Sequence, residues 1–310
     1  MKIDILEPVG SAIQTTRRLL FMPFNFVKWC GMGFTAMLGA DFLMSAAAQF
    51  GPIGEPGDEQ RAGFGLFLHA LRENPIPFAL AGAAGLALWI AALWVIARGR
   101  FMFLDNVARN AGEIREPWRR LRPLGNSLFR FTLALAAALV VCLLALVLVA
   151  TLVAMPDIRR QAFDLNAIGA IALGGLGLFL IILAWGVICV LTDDFVAPIM
   201  YASNKGALKA WQEFIDLLRP NKGVFALYIL FRLLLEMGVR AIAALICVLT
   251  CCAALLPFAG TLFRLPLLVF RRAYSLRVLE QFGDRYRLLP ALQPAPPEIP
   301  GRASNAPGPT

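Results

Sequence analysis

The chain has 310 residues, of which 59% are apolar and 16% charged, with mean hydropathy +0.70 and formal net charge +9. An ordinary soluble domain carries about 45–50% apolar and about 25% charged residues, so this composition excludes a disordered chain, a coiled coil, a disulfide-framework domain and most soluble enzymes. The apolar residues come in long runs, and the expected fold is all-α: a polytopic transmembrane helical bundle.

Residues 1–25 form a basic N-terminal segment with Lys2, Arg17 and Arg18. The first apolar run follows at 26–50 and contains Asp41. Ser45-Ala46-Ala47-Ala48 resembles a signal-peptide cleavage site, but about 25 residues precede the run and a signal core is short and uncharged, so no cleavage is expected. The next loop is acidic, with Glu55, Asp58, Glu59 and Glu73, and residues 62–71 suit a short interfacial helix carrying His69, the single histidine. One histidine without cysteine partners makes no metal site, so neither metal nor cofactor is expected.

Further apolar runs cover residues 78–97, 131–154, 169–191, 223–247 and 253–270. All but the last have about the 20 residues that cross a hydrocarbon core. Residues 223–270 are long enough for two helices, with Gly238 and Pro257 both suitable for the turn. Six spans over residues 26–270 result, followed by a juxtamembrane amphipathic helix at 271–289 and a Pro-rich, disordered tail at 290–310.

The 29 basic residues (five Lys, the rest Arg) sort by loop. Twenty-two fall in the N-terminal segment, the second and fourth loops and the C-terminal tail; only Arg61, Arg72, Arg159 and Arg160 fall on the other side. Basic loops stay in the cytoplasm, so both termini are expected there, in a bacterial inner membrane. Topology thus accounts for a charge that would suggest nucleic acid in a soluble protein, and no nucleic-acid partner is expected.

The cytoplasmic loops read as structured. Asn110-Ala111-Gly112 offers a helix stop and Glu116-Pro117-Trp118 a helix start. Leu208, Trp211, Ile215 and Leu218 recur at helical spacing, which suits an amphipathic helix on the inner membrane surface. The order Asn110-x-Gly112, Trp118, Phe129 is echoed by Asn204-x-Gly206, Trp211, Phe225, which raises the prospect of a duplicated unit or a chance likeness of two surface loops. Trp118, Arg119, Arg120 and Arg122, with Trp211 in the fourth loop, are candidates for anionic lipid headgroups. Protein partners and oligomeric state are not readable.

Charges inside the apolar runs are costly and are usually paired or functional. Arg232, Glu236 and Arg240 lie four residues apart on one helix face, at depths of about 13, 20 and 25 Å from the inner edge; Asp41 lies about 22 Å deep. The matched depths suggest Asp41 with Arg240 and Glu236 with Arg232, as a structural ion network or, alternatively, as the path of a small-solute or ion transporter. Arg264 suits snorkelling, and the Asp193-Asp194 doublet faces cytoplasmic arginines more readily than a cation. Gly174, Gly175 and Gly177, with Ala81, Gly82 and Gly85, read as close-packing positions. Cys30, Cys142, Cys189, Cys247, Cys251 and Cys252 read as small apolar side chains. There is no phosphate-binding glycine loop, nucleophile elbow or paired-histidine motif, so no catalytic residues are assigned and no enzyme is expected.

Several stretches carry a family resemblance. Leu20-Phe21-Met22-Pro23-Phe24, Lys28-Trp29, Gly31-Met32-Gly33-Phe34, Arg98-Gly99-Arg100-Phe101, Leu104-Asp105-Asn106-Val107, Leu265-Pro266, Phe270 to Leu276 and Glu280 to Gly283 resemble an uncharacterised family of multi-pass bacterial membrane proteins. That family is distantly similar to the membrane domain found beside glycerophosphodiester phosphodiesterases. The resemblance spans about residues 10–290 and implies a fold and a location. The catalytic domain is absent here, so it implies no phosphodiesterase activity and no site residues. The expected function is a non-enzymatic scaffold, assembly or lipid-interacting component of the membrane.

Overall fold

A computed structural model describes residues 3–41, 73, 75–160, 164–249 and 257–289. The small-residue motif at 45–48, the helix expected at 62–71 with His69, Cys251, Cys252 and the tail 290–310 lie outside the described residues, as do the side chains of Asp41 and Cys247. Within them the chain is helical, with no strand.

Helix α1 (Glu7–Phe21) is followed by α2 (Phe26–Ala36), which continues as a π turn, Met37–Asp41. Helix α3 (Pro75–Arg109) leads through α4 (Arg115–Arg120) to α5 (Arg122–Arg160). Helix α6 (Leu165–Leu191) runs through a π turn, Thr192–Val196, into α7 (Ala197–Ser203). Helix α8 (Ala207–Leu218) precedes the long α9 (Lys222–Leu249) and α10 (Pro257–Glu280).

Three helical stretches are long and apolar enough to cross a membrane: Pro75–Arg109, Arg122–Asp157 and Asn166–Ser203. They mark a membrane protein but show three such helices, not clearly six. Helix α2 is described only as far as Asp41. Among the described helices, α9 carries Arg232, Glu236 and Arg240 within nine residues and α10 carries Arg264, Arg271 and Arg272, charges that lower their apolar character. Helix α9 also passes Gly238 without a break, and α10 starts at Pro257. Proline suits a helix start because its missing N–H needs no partner there. Helix α10 then runs unbroken to Glu280, so the stretch expected as a separate helix after Arg271 continues it.

The long helices are buried over one end and bare over the other. In α3 the buried residues begin at Leu93, whereas Ile76, Leu80 and Leu88 are exposed. In α5, Leu124 and Leu128 are buried while Val141, Leu148 and Leu152 are exposed; in α6, Ile171, Leu176 and Leu183 are exposed, and burial predominates from Leu191 into α7. The buried ends converge on one aromatic core, where the Phe195 ring lies 4.7 Å from Tyr228, 5.1 Å from Phe225 and 5.5 Å from Phe214. Bare apolar helix surface suits hydrocarbon, which competes with neither packing nor hydrogen bonds.

Close approaches fall where α2 meets α3 and the loop after it. A Cβ on Gly39 would lie 2.5 Å from the Gly99 carbonyl carbon, and one on Gly31 would meet the Gly112 oxygen. Gly177 packs on Leu146, but Gly82, Gly85 and Gly175 face open space and Gly174 only touches Ala150, which corrects the reading of those positions as packing glycines. Helix α8 buries Ala207, Ala210 and Phe214 and leaves Leu208 exposed.

Candidate functional site

The Asp193-Asp194 doublet sits in the π turn that joins α6 to α7. Neighbouring side chains on a helix point about 100° apart, so the two carboxylates reach different partners. Asp193 meets Arg100 of α3 at 2.8 Å, and its carbonyl accepts from Arg272 of α10 at 2.6 Å. Asp194 accepts from the Tyr228 hydroxyl (2.9 Å) and from Arg232 Nε (3.1 Å) on α9. One turn of helix thereby ties α3, α9 and α10 together.

Arg232 also donates to Glu236 at 2.9 Å, and Glu236 receives Arg271 of α10 at 3.4 Å. Arg240 approaches the same carboxylate at 3.5 Å with its side chain 68% exposed. The structure thus brings Arg232, Glu236 and Arg240 together; the Asp41 side chain lies outside the described residues. A cavity of about 20 Å³, lined by Gly39, Arg100, Asp193, Asp194, Arg271 and Arg272 among others, lies within this network. That is room for about one water. Sequence reasoning missed Arg100, Arg271 and Arg272 because they were counted as loop charges; long arginine stems carry the guanidinium well away from its Cα.

A second cluster organises the loop after α3. Asp105 is buried and accepts from Arg120 and from the Tyr201 hydroxyl (2.6 Å), while Glu116 meets Arg109 (3.2 Å) and Arg120 (3.0 Å). Asn106 clasps the loop by bonding Thr35 and both backbone groups of Glu113. Arg120 is therefore engaged by carboxylates, with its side chain 44% exposed. Arg119 and Arg122 are exposed. Trp118 stands edge-on to Trp94 with ring centroids 5.7 Å apart, and Arg98 lies against both rings. Trp211 is placed elsewhere, against Phe131 and Phe214 with its ring nitrogen buried.

A third cluster fixes α8. Glu213 accepts from Lys205 (2.7 Å) and from the Tyr286 hydroxyl (2.7 Å), with Arg285 at 3.9 Å. Burial pushes the Glu213 carboxyl up, but its bonds to Lys205 and Tyr286 outweigh that and hold it below the ordinary glutamate range. The Tyr286 hydroxyl, partly buried beside that carboxylate, is pushed up to about 12.

Among the described residues no group of three or more His, Cys, Asp or Glu is placed to hold a metal ion. No curated protein and no solved structure matches the chain. Nothing links it to the membrane domain that accompanies glycerophosphodiester phosphodiesterases. Residues 3–265 match the model of DUF7544, a family of unknown function, and the chain belongs to that family.

Proposed function

We propose that this protein is a six-span component of a bacterial inner membrane with both termini in the cytoplasm, acting as a scaffold, assembly factor or lipid-interacting protein without enzymatic activity. The six spans add α2, α9 and α10 to the three apolar helices, and the loop charges supply the orientation. The observation that carries the reading is the pairing of Arg232 and Glu236 of the fifth apolar run with Asp194 and Arg271, beside a second pair, Arg100 and Asp193. Arg100, Arg232, Arg271 and Arg272 are engaged by Asp193, Asp194 and Glu236 around a space for about one water. A network closed on itself fastens helices; a transport path needs room for a solute and for water.

Two measurements test this. A reporter fused to the C-terminus reads cytoplasmic if the topology is right, and a periplasmic signal overturns it. Leu268 lines the small cavity, so Leu268→Cys is expected to resist a membrane-impermeant maleimide from either side. Labelling from both sides would favour the transporter instead.

A further inference from the structure

We propose that Arg98 forms the floor of a site for a phosphate oxyanion, the group shared by anionic phospholipid headgroups and soluble phosphate esters. The proposal deepens the lipid-interacting reading above and rests on it for the placement of Arg98 at the membrane boundary.

Arg98 is 6% exposed, and no described residue offers it a carboxylate at ion-pair distance. A buried charge without a counter-ion is costly. Of the other buried arginines, Arg232 meets Asp194 and Glu236, and Arg272 donates to the Asp193 carbonyl. Arg98 instead has Arg122 near enough to repel it. The protein nonetheless holds this guanidinium with care. Its Cζ lies 4.0 Å from the Trp94 ring centre and 4.8 Å from that of Trp118, in the corner of two perpendicular indoles. Such stacking holds a cation without neutralising it. Nη2 donates to Asn126 Oδ1 at 3.0 Å, and the same oxygen accepts from Trp94 Nε1 at 3.2 Å. A Cβ on Gly125 would lie 2.8 Å from Arg98 Cγ, so glycine opens the space its stem fills.

What the protein leaves unmet is an acceptor. Arg98 Nε is buried and makes no hydrogen bond. An oxyanion with several acceptor oxygens suits a guanidinium fork, and Arg119 and Arg122, both exposed beside Trp118, add charge around it. The geometry changes the membership of the predicted headgroup cluster. Arg120 leaves it for Asp105, and Arg98, which reads in the sequence as one loop charge among many, becomes its centre. Tryptophans beside an arginine that directly follows the apolar run 78–97 of α3 suit the interfacial layer where lipid phosphates lie.

The test titrates the full-length protein in maltoside micelles, following tryptophan fluorescence, with short-chain phosphatidylglycerol and separately with inorganic phosphate. Saturable binding is expected. Arg122→Gln, at an exposed position, and Arg98→Lys, which keeps the charge but loses the fork, each weaken it by about tenfold. Arg285→Gln, an exposed arginine of the C-terminal turn, leaves it unchanged. Saturation by the lipid alone assigns a headgroup; comparable saturation by inorganic phosphate, with the same two variants weakened, assigns a soluble phosphate ester. The proposal is overturned if neither ligand saturates, if Arg122→Gln and Arg98→Lys bind like the unmodified protein, or if Arg285→Gln weakens binding equally. The C-terminal reporter tests the membrane reading separately, so a chain of the expected topology that binds no phosphate fails on this proposal alone.

Discussion

Arg232 Nε lies 3.1 Å from Asp194 Oδ2, with the two side chains only 7% and 6% exposed, and this contact, beside that of Tyr228, joins α9 to the turn between α6 and α7. Removing Arg232 strands the buried Asp194 carboxylate, which costs about 3–5 kcal/mol, whereas removing Asp194 leaves Arg232 its bond to Glu236 and costs less. Arg232→Met is therefore expected to lower the thermal midpoint in detergent sharply, and Asp194→Asn to lower it by a smaller amount. The double variant Asp194→Leu with Arg232→Met removes both charges, and it is expected to be more stable than either single variant. A double variant whose loss equals the sum of the two single losses would show that the charges are not coupled.

The glycines separate contact from mere smallness. Gly39 has the backbone of Gly99 and Arg100 within 2.7 Å of where a Cβ would sit, and backbone cannot step aside as a side chain can. Gly39→Ala is expected to cost about 1–3 kcal/mol through overpacking of α2 against α3. Gly82 faces open space within α3, so Gly82→Ala is expected to be neutral or to stabilise by up to about 1 kcal/mol through helix propensity. Equal thermal midpoints for the two variants would contradict the close approach.

These cases also show what the sequence can carry. The runs at 78–97, 131–154 and 169–191 announce α3, α5 and α6, because apolar length alone specifies a helix in hydrocarbon. The Arg232–Glu236 contact was legible too, since four residues on a helix is a fixed distance. Asp194 with Arg232 and Asp193 with Arg100 were not. Those partners are 38 and 93 residues apart, and only the rotation of one helix against another decides which charges meet. The same unknown rotation made Gly82 and Gly177 look alike, though only Gly177 meets a neighbour. Arg98 escaped for a different reason: its distinction is the absence of an acidic neighbour, which no local pattern records.

The two asparagines that end α3 and α7 share a conformation as well as a motif. Asn110 has φ 55° and Asn204 φ 50°, in the left-handed region where a Cβ is strained. Alanine at either place is expected to cost about 1 kcal/mol. Glycine separates them. Asn204→Gly is expected to be neutral or slightly stabilising. Asn110→Gly loses the hydrogen bond that Lys28 Nζ donates to the Asn110 side chain, and with it about 1 kcal/mol. Unfolding midpoints of the four variants check this, and a loss in Asn204→Gly as large as in Asn110→Gly would refute it.

The Glu213 cluster makes stability fall at both ends of the pH scale. The Glu213 carboxyl titrates below its ordinary 4.5 in the folded protein, so the folded state binds that proton less tightly than the unfolded chain. Its contribution is present above pH 4.5 and is lost as the pH falls through the lower folded value. The Tyr286 hydroxyl is raised from 10 to about 12, so its contribution is whole below pH 10 and is lost as the pH rises towards about 12. Both losses should loosen the hold of the C-terminal turn on α8, because Tyr286 donates to Glu213 at 2.7 Å across that junction. Proteolysis of the C-terminal segment at graded pH reads this directly. Tyr286→Phe is expected to remove the alkaline limb while keeping the acid one, since Lys205 still holds Glu213. Glu213→Gln should flatten the acid limb and also shrink the alkaline one, because a neutral amide no longer adds its charge to the burial that raises Tyr286. An acid limb that survives unchanged in Glu213→Gln would place the sensitivity in another carboxylate.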